Sequence, residues 1–133
     1  MIVQTLSIIK PDAVERNLEN EIKSFFEEKN VKILKSKKVK ISKEEASEFY
    51  KVHQTKPFYN DLCSYLSSGP IVVMVLECEN AVKKNRELMG ATEPKNAEEG
   101  TLRKKYGISI DKNSVHGSDS VENAKIEINF FFK

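Results

Sequence analysis

Ile71-Val72-Val73-Met74-Val75-Leu76 is the stretch that most constrains the fold of this 133-residue chain. No polar residue interrupts it, and it follows Ser68-Gly69-Pro70, a cluster of turn-forming residues. A short, continuously apolar run of this kind is typical of a strand that is buried on both faces of a sheet. We therefore expect other elements to cover both faces of that sheet.

The segments on either side of this strand alternate between extended and helical patterns. The predicted order is a strand (2–9), a helix with the apolar stripe Leu18, Ile22, Phe25 and Phe26, a strand (31–41), two helices (42–67), the strand just described, a helix (80–89), a long loop (90–113), a strand (114–116) and a C-terminal helix. This order predicts an α+β fold with helices packed on a small sheet.

Two of these assignments depend on short signals. Ser42, with Glu45 three residues later, is a capping box and predicts the start of a helix. The C-terminal segment is ambiguous, because it fits a helix through Val121, Ala124, Ile128 and Phe131 and a strand through Ile126, Ile128, Phe130 and Phe132. Asp119 followed by Glu122 resembles a helix start, and this favours the helix.

Length and composition bound the class of protein. With 39% hydrophobic and 32% charged residues, the sequence predicts one soluble domain over residues 1–133. The 22 basic residues are almost matched by 20 acidic ones, which argues against a nucleic-acid-binding protein. The N-terminus reads as a strand and not as a signal peptide, and no apolar run approaches the ~20 residues that cross a bilayer. The two cysteines lack metal spacing, so a reduced cytoplasmic setting is expected.

The sequence contains no GxxxxGK[ST], GxGxxG or GxSxG motif, so any phosphate would have to be bound by side chains. The densest polar cluster is Asn113-Ser114-Val115-His116-Gly117-Ser118-Asp119-Ser120. It places a histidine at a strand end, beside a glycine and before a helix start, which attracts anions. A neutral imidazole oriented by a carboxylate is a nucleophile toward phosphorus, and Glu127 is the candidate carboxylate. From these residues alone, a surface histidine in a turn and a solvated Glu127 are equally good interpretations.

Cationic candidates lie elsewhere in the chain. Lys10 is held between a strand and Pro11, and planar phosphate recognition would have to draw on the arginines Arg16, Arg86 and Arg103. Each of these residues, taken alone, is more often solvated. The lysines of residues 35–40 are more typical of a protected sheet edge than of a nucleic-acid site.

Five groups of residues occur in order along the chain and carry a resemblance to a known family. They are Thr5 to Val14, Lys56-Pro57-Phe58-Tyr59 with Ser68-Gly69-Pro70, Met89 to Pro94, Gly100 to Arg103, and Asn113 to Ser120. Over essentially its whole length the chain resembles the nucleoside diphosphate kinases. The resemblance implies a ferredoxin-like antiparallel β-sheet core covered by helices, an added helical hairpin (42–67) and a long nucleotide-binding loop (90–113). It also implies homo-oligomers, either tetramers or hexamers built from dimers.

The resemblance further implies a role for each matching side chain. His116 is expected to be the nucleophile that carries the phosphate, with Glu127 as its hydrogen-bonding partner and Ser118 nearby. The expected phosphate contacts are Lys10, Tyr50, Arg86, Thr92 and Arg103, the sugar contacts are Lys10 and Asn113, and the base contacts are Phe58 and Ile110. Mg²⁺ is expected to be held mainly by the nucleotide phosphates, without protein ligands.

The expected substrates are nucleoside triphosphates, mainly ATP, and nucleoside diphosphates, with neither a membrane nor a specific nucleic acid as a partner. The alternative is a catalytically silent ferredoxin-like module that binds or scaffolds. Such a protein should have lost His116, Lys10 or Arg103, and all three are present.

Overall fold

A computed structural model describes residues 2–51, 54–108 and 112–132. The elements in chain order are β1 (Ile2–Ile9), α1 (Pro11–Glu15), α2 (Glu19–Glu28), β2 (Lys32–Val39), α3 (Lys43–Phe49), α4 (Tyr59–Leu66), β3 (Ile71–Glu79), α5 (Ala81–Met89), a 3-10 turn (Pro94–Asn96), α6 (Leu102–Tyr106), β4 (Val115–Gly117) and α7 (Val121–Phe131). Within these ranges, no helix combines the length and the apolar character needed to cross a membrane.

The four strands form one sheet in the order β2-β3-β1-β4, and every neighbouring pair is antiparallel. With its helices, this order is the ferredoxin-like arrangement that the sequence led us to expect. Residues 71–76 of β3 are at most 2% exposed, which confirms a strand buried on both faces. The lysine-rich strand β2 lies at one edge of the sheet, as its composition predicted.

Alternate side chains of β1 and β3 point into two separate apolar cores. The core under α2 and α5 contains Ile9, Ile22, Phe26, Met74 and Leu76. The core under α3, α4 and α7 contains Leu6, Ile8, Ala46, Leu66 and Val73. Full burial of each large aliphatic side chain is worth about 1.5–3 kcal/mol, so both helical layers are held firmly to the sheet.

The ends of the helices test the short sequence signals. The capping box of α3 is formed, because Ser42 Oγ accepts from Glu45 N and Glu45 Oε1 accepts from Ser42 N, each at 3.0 Å. The C-terminal segment is a helix, as favoured above. Its cap is Ser120, whose Oγ accepts from Asn123 N at 3.0 Å, and not Asp119, whose carboxylate accepts from the Asn123 side chain instead.

Candidate functional site

Strand β4 and helix α7 bring His116 and Glu127 together. His116 pairs with Ile8 in the sheet, and its ring points toward α3 and α7. Its centroid lies 5.4 Å from that of Phe49 and 6.3 Å from that of Tyr50, both nearly perpendicular to it. His116 Nε2 lies 3.0 Å from Glu127 Oε1, and each of the two side chains is 18% exposed. The histidine is therefore held on one side and still reachable from solvent.

Ser118 fixes the direction of the hydrogen bond between the histidine and the carboxylate. Its buried hydroxyl donates to Glu127 Oε1 at 2.7 Å and accepts from Leu6 N at 3.4 Å. Since the carboxylate oxygen accepts, the proton of the imidazole lies on Nε2. Among the described residues, no hydrogen bond is made to Nδ1 of His116, so that nitrogen keeps a lone pair for reaction.

Gly117 allows α5 to approach β4 closely. A Cβ at this position would lie 2.2 Å from Asn85 Nδ2 and 2.7 Å from Met89 Cε. Both contacts come from the face of the sheet opposite to the imidazole, since side chains alternate along a strand. The space left by the missing side chain of Gly117 is therefore occupied by α5, on the face of the sheet away from the imidazole.

Lys10 lies at the end of β1 and is tied to the long loop. It is only 6% exposed, and its Nζ donates to Asn113 Oδ1 at 2.9 Å. Asn113 Nδ2 in turn donates to the backbone oxygen of Thr92 at 3.0 Å. Pro11 follows Lys10 as the first residue of α1, so the backbone that carries this cation is rigid. The structure thus joins three of the residues that the sequence proposed.

Arg103 projects from α6 to the strand that carries the histidine. Its Nη2 donates to Val115 O at 2.9 Å and its Nη1 to Gly90 O at 3.1 Å, while its buried Nε has no partner among the described residues. Burial, and then the charge of Arg86, lower the pKa of Arg103 to about 10. The guanidinium therefore remains charged at neutral pH. Arg86 itself is exposed on α5.

Tyr50, Phe58 and Ile110 complete the set proposed from the sequence. Burial, and then the Glu127 charge, raise the pKa of Tyr50 well above its usual value, so its phenol stays a hydrogen-bond donor. Phe58 precedes α4 and is 44% exposed, so its ring is accessible. Ile110 lies outside the described residues, and so does His53, the second histidine of the chain.

Sequence reasoning missed a polar network beside this site. Asp12, Arg16, Tyr65 and Ser114 are joined by hydrogen bonds, although some of them are about a hundred positions apart in the chain. Only the scarcity of arginine pointed toward Arg16, while Asp12 and Ser114 stood in the quoted motifs without a role assigned to them. Phe49, whose ring packs against the imidazole, was not among the site residues proposed from the sequence.

The arrangement suits nucleophilic chemistry on an anion. The oriented imidazole, with one free lone pair, lies on β4. Lys10 follows the neighbouring strand β1, and Arg103 reaches β4 from helix α6. Cations of this kind stabilise the charge of a phosphate. In the part of the chain that the structure describes, no three His, Cys, Asp or Glu side chains come together in a way that could hold a metal ion.

The similarity to known proteins extends over nearly the whole chain. The family described as "Nucleoside diphosphate kinase" matches residues 3–133. The chain is 56% identical over 131 residues to a nucleoside diphosphate kinase of Persephonella marina (98% of this chain and 94% of that protein). It is 60% identical over 129 residues to one of Campylobacter hominis (97% and 94%). The crystal structure of the Aquifex aeolicus nucleoside diphosphate kinase superposes with a TM-score of 0.98 at 38% identity, covering 100% of this chain and 96% of that one. The chain belongs to the nucleoside diphosphate kinase family.

Proposed function

We propose that the chain transfers the γ-phosphate of a nucleoside triphosphate, mainly ATP, to a nucleoside diphosphate through a phosphohistidine at His116. Membership of the family makes it a phosphotransferase that acts on nucleotides. The observation that carries the proposal for His116 is the hydrogen bond between its Nε2 and Glu127, which leaves Nδ1 as the reactive nitrogen. The sequence identity to relatives that are named as nucleoside diphosphate kinases extends over nearly the full chain. This disfavours a catalytically silent module that only binds or scaffolds.

The first half of the reaction is a displacement at the γ-phosphorus. The Nδ1 lone pair of His116 attacks this phosphorus, the bond to the β–γ bridging oxygen breaks, and the nucleoside diphosphate leaves with the electron pair. Glu127 keeps the proton on Nε2 and stabilises the positive charge that the ring gains. Ser118 holds the Glu127 carboxylate in place through Oε1. A second diphosphate then takes the phosphate by the reverse of these steps.

The remaining predicted residues bind and position the nucleotide. Lys10, Arg86 and Arg103 balance the phosphate charge, while Tyr50 and Thr92 supply hydroxyl groups to the phosphate oxygens. Lys10 and Asn113, already bonded to each other, reach the sugar. Because donor and acceptor nucleotides share these features, they bind in turn and not together.

Magnesium fits this site as a companion of the nucleotide. The described residues offer no cluster of metal-binding side chains, so the hard oxygen ligands that this ion prefers would come from the phosphates. When bound there, it would neutralise charge on the transferring group. Lys10 and Arg103 would act on the phosphate oxygens that the ion leaves uncovered.

Base recognition should be permissive. The proposed base contacts are Ile110 and Phe58, which is 44% exposed. An apolar site of this kind does not distinguish the hydrogen-bonding groups of one base from those of another. ATP, GTP, CTP and UTP should therefore all donate phosphate, as should their deoxy forms. Measured kcat/KM values should lie within roughly a hundredfold of one another. A larger preference for one base would require a polar side chain that hydrogen-bonds to the edge of that base, and it would contradict an apolar base site.

The function is tested by incubating the protein with ATP alone and measuring its mass. We expect the mass of one added phosphoryl group, release of ADP, and discharge to GTP when GDP follows. The linkage should be lost in acid and survive base, as a phosphorus–nitrogen bond does and a phosphoserine does not. His116→Ala should abolish labelling, whereas His53→Ala, at the other histidine of the chain, should not. Labelling that persists in the His116 variant would refute the mechanism.

The family resemblance supports a cytoplasmic homo-oligomer, either a tetramer or a hexamer built from dimers, that acts on free nucleotides.

A further inference from the structure

Ser114 lies in a strained turn between two parts of the proposed site. Its φ is +74°, and Val115 N donates to Asn113 O at 2.9 Å across it. A hydrogen bond from the third residue to the first around a positive φ is a γ-turn of the rare and strained kind. The other described non-glycine residues with positive φ are all asparagines, a type that tolerates this conformation better than most. A fully buried serine in this conformation needs a compensating interaction.

Helix α1, which directly follows Lys10, supplies that interaction. The Ser114 hydroxyl donates to Asp12 Oδ2 at 2.8 Å and accepts from Arg16 Nη2 at 3.1 Å. The backbone oxygen of Ser114 accepts from Lys10 N at 2.8 Å. Both the side chain and the backbone of the turn are thus fixed to the segment that carries the proposed phosphate-binding lysine.

The two residues of α1 are themselves held from other elements. Arg16 Nη2 also donates to Asp12 Oδ2 at 3.0 Å and to Tyr106 O at 2.6 Å, at the end of α6. The hydroxyl of Tyr65 on α4 donates to Asp12 Oδ1 and accepts from Asp12 N. Burial and this bond to Asp12 raise the pKa of Tyr65, so the phenol remains a donor. The network therefore links the helical hairpin and the long loop to the turn.

The residues on either side of Ser114 contact the proposed cations. Asn113 accepts from Lys10 Nζ, and the backbone oxygen of Val115 accepts from Arg103 Nη2. His116 follows immediately. A change of backbone direction at Ser114 would therefore move the nucleophile relative to both positive charges.

We propose that Ser114 is a positioning residue for phosphate transfer, and that its hydroxyl, held by Asp12 and Arg16, keeps the strained turn that sets His116 against Lys10 and Arg103. This inference rests on the function proposed above. Ser114, Asp12 and Arg16 need not touch the nucleotide, so their effect is on geometry. A displacement of about 1 Å can cost as much as a hundredfold in rate.

The test uses Ser114→Ala and Ser114→Gly in the full chain. Alanine removes the hydroxyl and keeps the strain of a positive φ, whereas glycine removes the hydroxyl and relaxes that strain. The measurement is the single-turnover rate of His116 phosphorylation at saturating ATP, together with thermal unfolding of each variant. We expect both variants to be labelled at least about tenfold more slowly than the wild type, with the glycine variant the more stable of the two.

Asn30→Ala is the matched control. Asn30 has a φ of +63°, is exposed, and lies in the turn before β2, away from the site. Its replacement should lower stability and leave the labelling rate unchanged.

Labelling of folded Ser114→Gly at the wild-type rate would overturn the proposal, whatever happens to the alanine variant. Equal slowing by Asn30→Ala would also overturn it, because the effect would then follow stability alone. If ATP does not label even the wild-type protein, the proposed function is wrong. Failure of the proposed function is thereby distinguished from failure of the proposal for Ser114, in which the wild type is labelled and the glycine variant is labelled equally fast.

Discussion

Among single residues, the two buried cations differ in how they are held. The ammonium group of Lys10 donates to a side-chain oxygen, Asn113 Oδ1. Arg103 is anchored by two backbone oxygens, and its pKa of about 10 keeps it charged at neutral pH. A buried positive charge is stabilised by an anion placed beside it, so both positions suit an anion that arrives with the substrate.

Replacing either cation should therefore slow the reaction itself. We expect Lys10→Ala and Arg103→Ala to lower kcat/KM by roughly 10²–10³, the scale of losing one preorganised donor to the transition state. Lys104→Ala, at the exposed neighbour of Arg103, is the control and should stay near the wild-type value. Steady-state kinetics with ATP and GDP provide the measurement. A loss confined to KM would show that the residue binds ground state and transition state equally.

Single residues also show which parts of the site could be predicted from the sequence and which could not. His116 and Ser118 stand in the Asn113–Ser120 motif, and Glu127 was proposed from the sequence as the carboxylate partner of the histidine. The structure joins all three. The bonds of Ser114 to Asp12 and Arg16 could not be predicted, because they connect residues far apart in the chain. A serine at positive φ leaves no mark in local sequence, since its conformation is decided by its partners.

At the scale of elements, the packing of α5 on β4 fixes the strand that carries the nucleophile. β4 is only three residues long and pairs with β1 alone among the strands. A strand this short gains little from its own hydrogen bonds. Asn85 and Met89 press against it where Gly117 leaves room, so the helix determines how the strand sits.

Gly117→Ala tests this dependence on close packing. The added methyl would overlap Asn85 Nδ2 and Met89, which should cost about 1–3 kcal/mol of unfolding free energy and slow the labelling of His116 by ATP. Gly69→Ala is the matched control, because its Cβ would meet Pro11 at an ordinary 3.7 Å. Chemical denaturation measures the stability of each variant. Equal stabilities for the two would mean that α5 can yield, and that the strand is held by other contacts.

Elements with a strong pattern were predictable, and short ones in the loop were not. β3 and the stripe of α2 follow directly from apolar spacing, and the capping box marks α3. Helix α6 is five residues long and carries Arg103-Lys104-Lys105, so its sequence lacks an amphipathic period. Its order comes from tertiary burial of Leu102 and Tyr106, which outweighs weak local propensity.

At the scale of the whole molecule, the sheet formed by the described residues has a long edge at β2, where no further strand pairs. β2 is an eight-residue edge strand, and its lysines discourage open-ended pairing with other chains. Several large apolar side chains nevertheless face solvent: Ile2 is 66% exposed, Ile108 59% and Ile126 67%. Small enzymes commonly cover such surface in closed, symmetric assemblies.

We therefore expect the protein to be an oligomer well above its chain mass of 15.2 kDa. Burying the exposed isoleucines between subunits would remove apolar surface from water, and a closed assembly would do so without leaving a surface for further growth. Sedimentation equilibrium at micromolar concentration should give a mass of a tetramer or a hexamer. Ile126→Lys, on the exposed face of α7, should weaken an assembly that buries this face between subunits. Lys125→Glu, a change of charge at the neighbouring residue, should not weaken it, and this separates the loss of an apolar contact from an effect of charge. A stable monomer that still transfers phosphate from ATP to GDP at this concentration would refute the expectation, because the site would then need no partner subunit.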